Sequence, residues 1–93
     1  MVSFQITCVK KTRRTEPHQR ITHIGGGSRE KFWRFTQRDA IDGIESGTWS
    51  FHVRLNGALL KVDVATGELG HKYLKTQADG LQPENLLALP QCT

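Results

Sequence analysis

Trp49-Ser50-Phe51-His52-Val53-Arg54-Leu55-Asn56-Gly57-Ala58-Leu59-Leu60-Lys61-Val62-Asp63-Val64 is the stretch on which the fold turns. Apolar and polar side chains alternate on both sides of Asn56-Gly57, the dipeptide favoured in a two-residue type I′ turn because both positions tolerate positive φ. A two-residue turn fixes the register. Leu55 then faces Ala58, Val53 faces Leu60, Phe51 faces Val62 and Trp49 faces Val64, an apolar set on one face. The opposite face pairs Arg54 with Leu59, His52 with Lys61 and Ser50 with Asp63. A slip of one residue would turn Trp49 and Phe51 to the polar side, so pairing and burial agree.

Working outward, Thr66-Gly67-Glu68-Leu69-Gly70 turns the chain into a third strand of the meander over His71–Thr76. Upstream, Thr36–Gly47 has the punctuation of a short helix. Thr36 is the N-cap, Asp39 sits three residues on, and Phe35 is placed to pack on Ala40 as a hydrophobic staple. Gly47 supplies the stop. Ala40, Ile41 and Ile44 give this helix a narrow apolar stripe, and Gly43 inside it costs about 1 kcal/mol relative to alanine, so tertiary packing must hold it. Val2, Phe4, Ile6 and Cys8 alternate with polar residues and predict a strand. Lys10–Pro17 reads as an exposed loop, Arg20–Ile24 as a short strand, and Gly25-Gly26-Gly27-Ser28 as a sharp turn. Near the C-terminus, Leu86, Leu87 and Leu89 predict a lid docked on the core. The expected fold is α+β: a mainly antiparallel sheet of four or five strands with one short helix packed on one face. Phe4, Ile6, Trp49, Phe51, Val53, Leu60, Val62 and Val64 would line its inner face.

Ninety-three residues are expected to form a single domain, 1–93. That size excludes a large enzyme, no apolar run reaches the ~18 residues of a membrane span, and the first residues lack the pattern of a secretory signal. A cytoplasmic location follows as the expectation. In a reducing compartment Cys8 and Cys92 would be free thiols, read as small part-buried hydrophobes. A sharper reading has the two ends meeting, with Cys8, Cys92 and His18 as a metal trio, although neither cysteine lies in a CxxC pair.

The net charge of +4 hides an asymmetry. Residues 1–38 carry nine cations and two anions, whereas residues 39–93 carry four cations and seven anions. Lys10, Lys11, Arg13 and Arg14 follow the first strand. Arg29, Lys31 and Arg34 surround Trp33, an interleaving of cations and rings that suits stacked single strands. Arg54 and Lys61 extend the basic set onto the hairpin.

Ile6-Thr7-Cys8-Val9-Lys10-Lys11, Pro17-His18-Gln19-Arg20-Ile21, Ile24-Gly25-Gly26-Gly27 and Ala40–Gly47 resemble a family of small bacterial domains of unknown function. The most specific match is Lys72–Gly80 followed by Pro83–Cys92. The resemblance spans nearly the whole chain and implies a stand-alone module. It implies no activity and no site. Residues 28–35 depart from it, carrying more aromatic and charged side chains than the short link expected there.

Four histidines supply bases, but no nucleophile elbow or paired-carboxylate pattern accompanies them. Gly25–Lys31 lacks the spacing of a phosphate-binding P-loop. The residues therefore point away from an enzyme and toward a non-catalytic protein-interaction or structural module. A nucleic-acid-binding module built on the basic half is the alternative. The expected partner is a protein or a nucleic acid, with no membrane, no small-molecule substrate and no cofactor.

Overall fold

A computed structural model describes residues 2–14, 16–27, 30–67, 69–77, 79–80 and 83–92. The Asn56-Gly57 hairpin sits at its centre. Strands β5 (Trp49–Leu55) and β6 (Ala58–Thr66) pair antiparallel in the register expected from sequence, with Leu55 opposite Ala58, Val53 opposite Leu60 and Phe51 opposite Val62. Asn56 and Gly57 take φ of 51° and 80°, as the turn demands. Phe51, Val53 and Val62 are buried. Strand β7 (Lys72–Thr76) extends the meander antiparallel to β6.

The single sheet expected from sequence is replaced by two. The first has the order β1-β5-β6-β7, where β1 (Val2–Gln5) runs parallel to β5, with Val2 beside Trp49 and Gln5 beside His52. The second is β2-β3-β4, with β2 (Cys8–Lys11), β3 (Ile21–Gly26) and β4 (Trp33–Thr36) antiparallel. The stretch 2–8 read as one strand is therefore broken. The Ile6 N–H donates to the His52 carbonyl at 2.8 Å, while the Thr7 N–H donates to Gly25 at 2.9 Å, so one peptide hands the chain from the first sheet to the second. Lys10 and Lys11 belong to β2 rather than to a loop, and Gly25 and Gly26 lie inside β3.

Helix α2 (Gln37–Glu45) matches its punctuation. The Thr36 hydroxyl accepts the Asp39 N–H at 3.1 Å, and Gly47 follows with φ of 77°. Ala40 and Ile41 are buried against a core formed with Ile6, Val9, Ile21, Ile24, Phe51, Val53, Val62, Leu74, Leu86 and Leu89. Two further single-turn helices, α1 (Pro17–Arg20) and α3 (Glu84–Leu87), correct the expectation of one helix. Leu86 and Leu89 seat α3 as the expected lid. Phe35 stacks on Trp49, with ring centroids 4.4 Å apart, and joins Phe4, Trp33 and Phe51 in a cluster of five rings linking β4 to β1 and β5. No helix among the described residues is long and apolar enough to cross a membrane.

The expectation of two free thiols is overturned: Cys8 and Cys92 form a disulfide. The cause is the tail, which lies parallel to β2. The Val9 N–H donates to Pro90 at 3.0 Å and the Cys92 N–H donates to Val9 at 3.1 Å, bringing the two cysteine Cα atoms within 5.0 Å. The bridge crosses Gly25, where a β-carbon would stand 3.0 Å from both sulfurs. A side chain there would force the bridge or the Trp33 carbonyl to give way by a few tenths of an ångström.

Candidate functional site

Within the most specific resembling stretch, several polar side chains are used to hold the fold. Strand β7 is an edge strand, and edge N–H groups need partners. The Thr76 N–H donates to the Asp79 carboxylate at 3.0 Å, which also accepts the Asn85 N–H at 3.1 Å. Asn85 Nδ2 then donates to the Thr76 hydroxyl at 2.8 Å, and Lys75 Nζ caps the carbonyls of Asp79 and Gly80. The Leu74 N–H on the same edge donates to Gln37 Oε1 at 2.9 Å.

That last contact also organises a cleft. Gln37 is buried at the start of α2, and its Nε2 donates to the carbonyls of His18 at 3.0 Å and Ile21 at 2.8 Å. One side chain thus fixes α1, β3 and β7 around α2. Between these elements lies an open cleft of about 930 Å3. Its walls include Arg14, His18, His23, Arg38, His71 and Lys72, with Asp42 and Glu45 as the acidic members. His18 and His71 meet ring on ring, with centroids 4.0 Å apart and planes 13° from parallel. Lys72 Nζ grips both Glu45 oxygens, at 2.9 and 2.8 Å, so these charges offset each other. Asp42, Arg14 and Arg38 line the same cleft, and the threonines Thr12, Thr22 and Thr36 add hydroxyls. The Thr12 hydroxyl donates to the Gln19 carbonyl at 2.6 Å and accepts the Arg14 N–H at 3.2 Å, which anchors the backbone that carries Arg14. The lining is rich in donors and, with its imidazoles neutral, slightly cationic. Such a recess suits an anionic group.

The residues read from sequence as a nucleic-acid surface are dispersed. Lys10 and Arg34 are exposed on the face of the three-stranded sheet opposite buried Val9 and Ile24. The Lys11 N–H donates to Gln91 Oε1 at 2.8 Å, and its side chain is half-buried. Arg13 and Arg14 are exposed after β2, and Arg14 alone of this set reaches the cleft. Lys31 is exposed ahead of β4, whereas Arg54 and Lys61 stand on the outward face of the four-stranded sheet. Arg29 lies outside the described residues. Trp33 is half-buried and packs on Phe4, Phe35 and Phe51. Of the metal trio, Cys8 and Cys92 meet but bond each other, while His18 engages His71. Among the described residues no group of three or more histidine, cysteine, aspartate or glutamate side chains is arranged to hold a metal ion.

Sequence reading missed His71, His23, Arg38 and Gln37 as parts of one site. A signal existed for the histidines: His18 lies within one resembling stretch and His71 directly precedes another. Nothing in the sequence marks Gln37, a polar residue at the first position of an amphipathic helix.

No curated protein and no solved structure matches the chain significantly. A family model described as "Protein of unknown function (DUF3892)" matches residues 5–90. With nearly its whole length matched, the chain belongs to that family.

Proposed function

We propose that this domain is a non-catalytic interaction module that receives an anionic group of its partner in the His18–His71 cleft. The observation that carries this reading is the buried Gln37 clamp, which holds three elements around a donor-rich recess. Binding is favoured over catalysis because, among the described residues, neither cysteine nor serine lines the cleft, and Glu45 is engaged by Lys72. The walls carry donors able to serve several oxygens at once.

Amide NMR titration at low salt tests this. Sulfate and a tetra-aspartate peptide should each shift resonances of residues 12–23, 36–45 and 70–72, and the double variant Arg14→Gln/Arg38→Gln should lose those shifts. Perturbations scattered over the surface, or none, would overturn the reading.

A nucleic-acid surface is the second reading. It draws support from exposed Lys10, Arg13, Arg14 and Arg34. It draws less from Arg54 and Lys61, which lie on the other sheet, and from Trp33, whose ring packs on Phe4 and Phe35. An oligothymidylate arm of the same titration would favour this reading if shifts concentrated on β2 and β4.

A further inference from the structure

We infer that the anion taken by the cleft is a tetrahedral dianion, a phosphate ester in the natural ligand, and that its binding draws protons onto the stacked His18–His71 pair. The inference rests on the interaction-cleft reading above and adds the ligand's chemistry and its control by pH.

Two features lead to a phosphate rather than a carboxylate. Arg14, from the loop after β2, and Arg38, from α2, reach the cleft from different elements, while the histidine pair arrives from α1 and from the residue before β7. A carboxylate offers two oxygens in one plane, which one guanidinium can satisfy. A phosphate monoester presents three acceptor oxygens and up to two charges, enough to engage both guanidinium groups and an imidazole N–H together. The cleft's volume of about 930 Å3 leaves room for whatever bears the phosphate.

The proton coupling concerns the liganded cleft. The stack sets two imidazoles 4.0 Å apart, so that one anion can face both. Arg14, Arg38, His23 of β3 and Asp42 line the same cleft, while Glu45 is occupied by Lys72 of β7. A dianion seated against the pair favours the charged form of each ring, so an imidazole can take a proton from solvent as the ligand enters. Histidine is the side chain suited to such a response near neutral pH.

Sulfate isolates the protein's contribution, since it stays a dianion throughout the range. Isothermal titration of the intact domain with sodium sulfate at low ionic strength should show affinity about tenfold higher near pH 6 than near pH 7.5. Heats measured in two buffers of different ionisation enthalpy should report proton uptake. Sodium acetate should bind at least about tenfold more weakly than sulfate near pH 6. His71→Gln, at an exposed position, should flatten the pH dependence. Melting curves confirm that the variant is folded. A phosphoserine tripeptide and glucose 6-phosphate are both expected to bind, and the tighter of the two tells a phosphorylated protein partner from a free metabolite. Equal, pH-independent binding of acetate and sulfate would overturn this inference and leave the cleft reading standing. A pH dependence that survives His71→Gln unchanged would overturn the assignment to the stacked pair. Failure of every anion to bind at either pH would remove both.

Discussion

The indole of Trp49 packs against Gly43, so close that a β-carbon on that residue would overlap the ring. A helix interior ordinarily favours alanine over glycine by about 1 kcal/mol. Here the ring of β5 occupies the space, and its other contacts, Phe35 and Phe4 among them, hold it in place. Gly43→Ala should therefore destabilise the domain, by about 1–3 kcal/mol, against its helix propensity. Urea unfolding measures the sign, and a stabilised variant would show that the indole moves aside freely.

Gln37→Leu keeps the volume of the side chain and removes its polar end. The carbonyls of His18 and Ile21 and the N–H of Leu74 would lose their partner. Leaving buried polar groups unpaired should cost about 2–4 kcal/mol. Hydrogen exchange at Leu74 should accelerate beyond the change expected from global stability alone. Unchanged exchange at Leu74 would show that the clamp is dispensable.

The Cys8–Cys92 bridge closes a loop across a sequence separation of 84 residues. On chain entropy such a closure is worth about 4–5 kcal/mol, a large share of the stability of any small domain. The double variant Cys8→Ser/Cys92→Ser, or the reduced protein, should melt well below the oxidised one. Equal melting temperatures would mean that the tail's hydrogen bonds to Val9 carry the closure unaided.

Trp33→Ala separates a structural ring from a binding ring. The ring contacts with Phe4, Phe35 and Phe51 predict a loss of about 2–4 kcal/mol in stability. Changing Lys10, Lys11, Arg13 and Arg14 together to alanine should leave the melting temperature almost unchanged, since three of the four are exposed. Weaker single-strand binding by Trp33→Ala with unaltered stability would restore the nucleic-acid reading.

Local chemistry made the hairpin legible: Asn56-Gly57 specifies its own turn, and alternation specifies the register. Thr36, Asp39 and Gly47 did the same for α2. The two-sheet arrangement was not legible, because alternation through Val2, Phe4, Ile6 and Cys8 continues unbroken where the chain changes sheets. A side chain keeps its inward direction whichever strand lies beside it. The parallel pairing of β1 with β5 joins residues nearly fifty positions apart and leaves no local trace. Trp33–Thr36 was hidden because Phe35 also fits a helix staple, while the glycine run looked like a turn when two of its members make room for sulfur atoms and an indole. The cleft was the least legible part. Its histidines come from separate segments, which the Gln37 clamp ties to one helix.

The position of the disulfide also decides how the domain meets mechanical force. A pull applied from outside the bridge would peel β1 from β5 ahead of Cys8. Once that segment is straight, tension would run from one sulfur to the other across Gly25, bypassing the hairpin, α2 and the cleft. Under such a load the oxidised domain transmits force through a single covalent bridge, and everything between Cys8 and Cys92 carries none.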